Sequence, residues 1–187
     1  MTHKLIYKIL ILLTLFTSSC HSKSGERKNQ KNNEYISGKV VRILDGDTYD
    51  LLIDGSQTIR IRMEGIDAPE KGMPFYKVSK NYLGKLCFGK QVKFKSSGKD
   101  IHDRNLGFTY LDDGTELCHE MIRAGLAWHY KKYNSDEDLS SLEIEARNAK
   151  IGIWENDNPM PPWENRKLHR QGISTKDSFK LKKISNQ

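Results

Sequence analysis

The sequence predicts a β-rich α+β domain, a small β-barrel with helices packed on its outside. Three observations lead there. Short runs alternate apolar and polar residues and are separated by Gly-containing turns, the pattern of half-buried strands. Longer runs with apolar residues at helical spacing lie between them. The chain has 187 residues with 36% apolar content and a mean hydropathy of −0.69, which fits one domain with a small core and polar extensions.

Residues 1–19 carry His3, Lys4 and Lys8, then an apolar run from Ile9 to Phe16 broken only by Thr14. A helix needs about 20 apolar residues to span a bilayer. This run is shorter and reads as a signal peptide, so the mature chain is expected to be exported. Cys20, after Thr17-Ser18-Ser19, resembles the lipidation site of bacterial lipoproteins, which would anchor the protein to a membrane. Thr17 departs from that pattern, where an aliphatic residue is usual, and an ordinary secretory peptide cleaved nearby is the other reading. Residues 20–34 then form a tether, because 21–34 contain no large apolar side chain to bury.

The folded domain is expected over residues 35–165. It opens with Val40-Val41-Arg42-Ile43-Leu44, which runs into the acidic turn Asp45-Gly46-Asp47-Thr48. Tyr49 to Ile53 and Thr58 to Met63 make a hairpin across Asp54-Gly55, a pair suited to the positive φ angles of a tight turn. In the return strand Ile59, Ile61 and Met63 share the core face, and Arg60 and Arg62 share the other. A first helix is expected from Phe75 to Phe88, with Tyr76, Ser79, Leu83 and Leu86 on one face and Gly89 as its C-terminal cap. Gln91 to Lys95 and Leu106 to Leu111 read as strands. Leu117 to Ala127 reads as a second helix. A third begins near Ser135, whose side chain is placed to cap it, with Asp136, Glu137 and Asp138 at the positive end of its dipole. Its buried stripe is Leu139, Leu142, Ala146 and Ala149, and Gly152 ends it.

Chemistry gathers at the first hairpin. Pairing its strands brings Asp47, Arg62, Asp67 and Glu70 into one neighbourhood. Three carboxylates and a guanidinium suit a hard cation and a phosphate.

At these residues the sequence resembles the staphylococcal-nuclease-like (thermonuclease) family. The resemblance rests on five motifs in order. They are Asp45-Gly-Asp-Thr48, Arg62 through Asp67-Ala-Pro-Glu70, Asp100 through Arg104-Asn-Leu-Gly, Arg123-Ala-Gly-Leu-Ala-Trp128, and Gly152-Ile-Trp154 followed by Pro161-Pro-Trp163-Glu. It spans roughly residues 37–166. It implies a five-stranded OB-fold barrel with three packed helices and a Ca²⁺-dependent nuclease acting on DNA or RNA. It implies that Asp47, Asp67 and the Ala68 carbonyl bind Ca²⁺. Glu70 matches the general base, and Arg62 and Arg104 match the phosphate-binding arginines. His102-Asp103 departs from the more usual Tyr-Gly before Arg104, and as a metal-dependent phosphohydrolase pair it is too short a signal to stand alone. A monomer is expected. The runner-up is a nuclease-like fold kept as a nucleic-acid or protein-binding module, against which the presence of Asp47, Arg62, Asp67, Glu70 and Arg104 speaks. A tethered protein holding DNA by a basic tail is the third reading.

The formal charge of +7 is unevenly distributed. Residues 166–187 hold seven basic and one acidic residue, whereas 35–165 hold 18 basic against 21 acidic. The basic segment is expected to be a disordered tail, either solvated or bound to nucleic acid. Trp128, Tyr130 and Tyr133 are placed either to stack on bases or to pack in the core or rim, with Tyr130 and Tyr133 the substrate-binding candidates. Trp154 and Trp163 are expected to pack the chain's return, and His119 and His129 to be incidental. Cys87 and Cys118 form either a disulfide, in an oxidising compartment, or two buried thiols.

Overall fold

The computed structural model describes residues 35–185, so the signal peptide, the Cys20 lipidation site and the tether lie outside the described residues. Among the described residues there are seven strands: β1 (Tyr35–Ile43), β2 (Thr48–Ile53), β3 (Gln57–Met63), β4 (Ile66–Asp67), β5 (Gln91–Lys99), β6 (Asn105–Tyr110) and β7 (Trp128–His129). Five of them close into a barrel in the order β1-β2-β3-β6-β5, with β5 pairing back to β1. β3 and β6 run parallel and the other barrel neighbours antiparallel. Closure leaves the barrel no free edge.

Alternation along the strands fills the barrel. Val40, Tyr49, Leu51, Ile61, Met63, Val92 and Phe94 are buried, while Arg60 stays exposed and Arg62 is half-buried on the opposite face of β3. Tyr49 carries a polar group deep in this interior that needs a partner, and its hydroxyl lies 2.6 Å from that of Thr109, which is buried too. The β2–β3 turn is as the Asp-Gly pair demands, with Asp54 at φ 50° and Gly55 at φ 69°.

The helices are α1 (Tyr76–Cys87), α2 (Leu117–Arg123), α3 (Glu137–Asn148), α4 (Pro162–Arg170) and α5 (Thr175–Ser185), with a 3₁₀ turn at Gly152–Glu155. The three expected helices are all there, with local corrections. α2 stops at Arg123, because Gly125 adopts φ 62° and the chain turns into β7. α3 is capped by Asp136 rather than Ser135, and its carboxylate accepts from the amides of Asp138 and Leu139. Its buried face is Leu139, Glu143 and Ala146, while Ala149 is exposed.

The larger correction concerns the C-terminal segment. Residues 166–185, expected to be a disordered basic tail, continue α4 and form α5. Pro162 starts α4 at the first helical position, where its fixed φ suits the helix and its missing N–H costs nothing. Phe179 and Trp163 pack against a second apolar cluster of Met73, Trp128, Ala146, Ile153 and Trp154. Charge predicted a solvated extension there; a few apolar side chains at helical spacing overrule it.

Cys87 and Cys118 are buried free thiols. The Cys87 thiol donates to the Leu83 carbonyl and the Cys118 thiol to the Glu64 carbonyl, so they turn to different partners. Of the two readings, buried thiols is the one the structure takes. Among the described residues no helix is long and apolar enough to cross a membrane.

Candidate active site

The acidic turn between β1 and β2 places Asp45 and Asp47 at the rim of the barrel. Gly46 between them is required by space, since a Cβ there would lie 1.8 Å from Ser79 Oγ of α1. Asp47 is buried, and both its oxygens are engaged: Oδ1 accepts from Thr48 Oγ1 at 2.8 Å, and Oδ2 from the Ala68 amide at 2.7 Å. β4 pairs with β7 in a two-stranded ribbon, Asp67 opposite Trp128, which fixes the Asp67 backbone over the barrel mouth. The Tyr130 amide donates to the Gly65 carbonyl at 2.8 Å and continues that ribbon.

Arg62 ties the two acids together. Its Nη2 lies 3.2 Å from Asp47 Oδ2 and 3.1 Å from Asp67 Oδ1, and its Nη1 donates to the carbonyls of Met63 and Ile66. Burial works against this guanidinium's charge, but Asp47, Asp67 and Asp45 together outweigh it and hold its pKa above the ordinary value. The carboxylates repel one another in turn. Burial, reinforced by Asp47, pushes the Asp45 carboxyl up to about 7. Asp67 is also raised, by burial first and by Asp47 as well, although Arg166 and Arg62 pull it down.

Arg166 was not foreseen as a site residue. It projects from α4, with Nη2 2.7 Å from Asp67 Oδ2 and Nη1 2.6 Å from Glu70 Oε1. These carboxylates raise its pKa despite the burial that opposes its charge. Asn165, also on α4, donates to Glu70 Oε2 at 3.3 Å. The sequence signal that bears on them is Pro161-Pro162, which suits a helix start just before these two residues. The domain boundary drawn at 165 by charge cut through this helix.

Asp47, Arg62, Asp67 and Glu70 thus meet as expected. Ala68 stands beside them, its amide directed at Asp47. Arg104 lines the same cleft of about 610 Å³ but holds Asp100, its Nε and Nη2 each 2.7 Å from Asp100 Oδ2. Asp103, in the departing His102-Asp103 pair, takes φ 59°. Tyr130 and Tyr133 line the cleft as well, ring centroids 4.9 Å apart in an edge-to-face pair. Trp128 belongs to the core, edge-to-face with Trp154 at 5.6 Å. His129 is buried with both ring nitrogens occupied, by Ser140 Oγ and Asn134 Oδ1.

A barrel with buried carboxylates and forked guanidiniums at one mouth defines a hydrolase of phosphodiester bonds. Comparison with known proteins agrees. Residues 60–156 match the model of the staphylococcal nuclease homologue family. A protein of Escherichia coli O157:H7 named as an uncharacterized endonuclease is 42% identical over 128 residues, 68% of this chain and 83% of its own length. A Haemophilus influenzae protein of the same description is 32% identical over 167 residues, 89% of this chain and 87% of its own. A Shigella flexneri micrococcal nuclease is 36% identical over 147 residues, 73% of this chain and 84% of its own. The chain belongs to the staphylococcal nuclease family.

Proposed function

We propose that the protein is a Ca²⁺-dependent nuclease that cuts DNA, with RNA as a second substrate, and with little sequence preference. The observation that carries this is the convergence of Asp47, Asp67, Glu70, Arg62 and Arg104 on one cleft. The names of the relatives, endonuclease and micrococcal nuclease, support it.

The donor set suits a hard cation. Carboxylate oxygens are the ligands Ca²⁺ takes, and Asp45 and Asp67 hold their protons more tightly than usual because they are buried and lie beside Asp47. Asp47 and Asp67 would hold the ion, with the Ala68 carbonyl as the further ligand implied by the family. When bound, it supplies Lewis-acid polarisation of the phosphoryl group. Two protein carboxylates leave room for water, and an affinity of ~10⁻⁴–10⁻³ M, that of extracellular modules, is expected. That range suits an exported protein, as does a lipid anchor on Cys20.

The chain's own residues do the rest. Arg62 and Arg104 present forked donors to the non-bridging oxygens and stabilise the charge that builds there. Glu70 takes the proton of the attacking water, help typically worth 10²–10⁴-fold. The 5′-oxygen leaves, so products carry 3′-phosphates. Arg166 now occupies Glu70, so an arriving phosphate competes with Glu70 for that guanidinium. Phosphates carry no sequence information, hence the low specificity.

The test is cleavage of supercoiled plasmid and single-stranded oligonucleotide, titrating Ca²⁺ against chelator. Glu70→Gln and Arg62→Ala should each lower the rate at least about a hundredfold. Cleavage unaffected by either substitution would refute the assignment, and DNA binding without cleavage under any condition would replace it by a binding module.

A further inference from the structure

Beside the catalytic cleft, and separated from it by Tyr130, lies a second concavity of about 440 Å³ between α4 and the segment that runs from β7 into α3. Its charge is opposite in character to the cleft's. Lys131, Lys132, Arg147, Lys167 and Arg170 line it against a single carboxylate, Glu143. That carboxylate is buried and already shared, 3.1 Å from Lys131 Nζ and 3.4 Å from Arg147 Nη2. Lys132 sits over the Tyr133 ring at 5.2 Å and has no carboxylate partner among the described residues. Lys167 and Arg170 have no carboxylate partner among the described residues. Three exposed cations without an acid partner on one concave face raise the positive potential there.

Two features join this groove to the cleft. Tyr130 lines both, and its ring is stacked on Trp163 with centroids 5.1 Å apart and planes 3° from parallel. The helix α4 also serves both: Arg166 reaches the acids of the cleft, while Lys167 and Arg170, one residue and one turn further on, line the groove. A stacked aromatic pair flanked by unpaired cations is the equipment that tracks a single strand, aromatic faces for bases and point charges for phosphates.

We propose that this groove is a second nucleic-acid subsite, holding the sugar-phosphate backbone of a strand that runs on from the catalytic cleft across Tyr130 and Trp163. It rests on the nuclease reading for its direction, but its binding is independent of cleavage. It also bears on the cleft itself, whose lining sets six carboxylates, from Asp45, Asp47, Glu64, Asp67, Glu70 and Asp100, against four cations, Arg62, Lys99, Arg104 and Arg166. A polyanion entering that cleft meets an excess of negative charge, and a basic groove next to it offsets this.

The experiment measures binding of a labelled single-stranded 20-mer by the full chain in chelator, where a Ca²⁺-dependent enzyme does not cut, and of a dinucleotide by competition. The double variant Lys167→Ala/Arg170→Ala should weaken 20-mer binding about tenfold and lower the log-log salt slope by about 1.4, two single-strand phosphate contacts at roughly 0.7 each. The ratio of 20-mer to dinucleotide affinity should fall by the same factor. In Ca²⁺ the loss should appear in KM for the 20-mer and not in kcat. Lys167→Glu should weaken binding further than Lys167→Ala, and an unchanged thermal midpoint in each variant shows the fold intact. An unchanged 20-mer affinity and salt slope would overturn the proposal. So would variants that lose binding to anionic lipid vesicles while keeping the 20-mer, which would make the groove a membrane contact. Groove-dependent 20-mer binding in a protein that never cleaves would uphold the subsite and sink the hydrolase reading instead.

Discussion

Replacing Arg62 by alanine tests the electrostatics of the site most directly. The side chain is 12% exposed and holds two acids that are themselves 8% and 3% exposed. It also satisfies the carbonyls of Met63 and Ile66. Arg62→Ala leaves Asp47 without its guanidinium and Asp67 with Arg166 alone. Removing one partner of a buried pair typically costs about 3–5 kcal/mol. The lower end, ~3 kcal/mol, is expected because Arg166 still neutralises Asp67 from the other side. For a domain of this size that lowers the thermal midpoint by roughly 6–12 °C. The assay is thermal and urea unfolding in chelator, repeated for Asp47→Asn and for the double variant. If the cost is unpaired charge, Asp47→Asn should recover part of it, giving a coupling of about 1–3 kcal/mol. Strict additivity, or a midpoint shift under 2 °C, would refute the reasoning and reduce Arg62 to a surface residue.

Three further outcomes follow from other parts of the fold. Gly125→Ala should cost roughly 2–4 kcal/mol in urea unfolding, because its φ is 62° and a Cβ there meets the Ile151 carbonyl oxygen at 2.3 Å. Burial raises both thiols, Cys87 to about 12. Peptide mapping after alkylation at pH 8 should therefore find Cys87 and Cys118 unmodified in the native protein and both modified in denaturant. Asp50 on β2 is held by Arg60 and Arg42, which outweigh its burial and lower its pKa. A lowered folded pKa contributes stability above the unfolded value that is lost as pH falls through the folded one. Asp50→Asn should thus cost about 1 kcal/mol at pH 7, since both arginines are exposed. That deficit should shrink below pH 4, which unfolding at pH 7 and pH 3 will read.

Much of the molecule is legible in its sequence because it rests on local rules. Alternation put Ile61 and Met63 on the core face of β3 and Arg60 and Arg62 on the opposite one, and Asp54-Gly55 specified its turn. The spacing of Asp47, Arg62, Asp67 and Glu70 suffices to predict that they meet, since two paired strands and a short ribbon carry them. What tertiary structure alone decided lies where residues far apart in sequence meet. Arg166 belongs to the site because α4 packs through Trp163 on the cluster that holds Trp128, Ala146 and Trp154, and no composition count can show that a basic residue will find 96 and 99 positions upstream the acids that hold it. The same docking makes Lys167 and Arg170 the wall of a groove instead of a solvated tail. Burial of Glu143, the separate carbonyl partners of the two cysteine thiols and the choice of Trp128 for the core were settled in the same way. Residue type and spacing determine which elements form and which face is apolar. Which charged side chains face one another depends on how those elements pack, and packing is a sum over contacts that a linear sequence does not display.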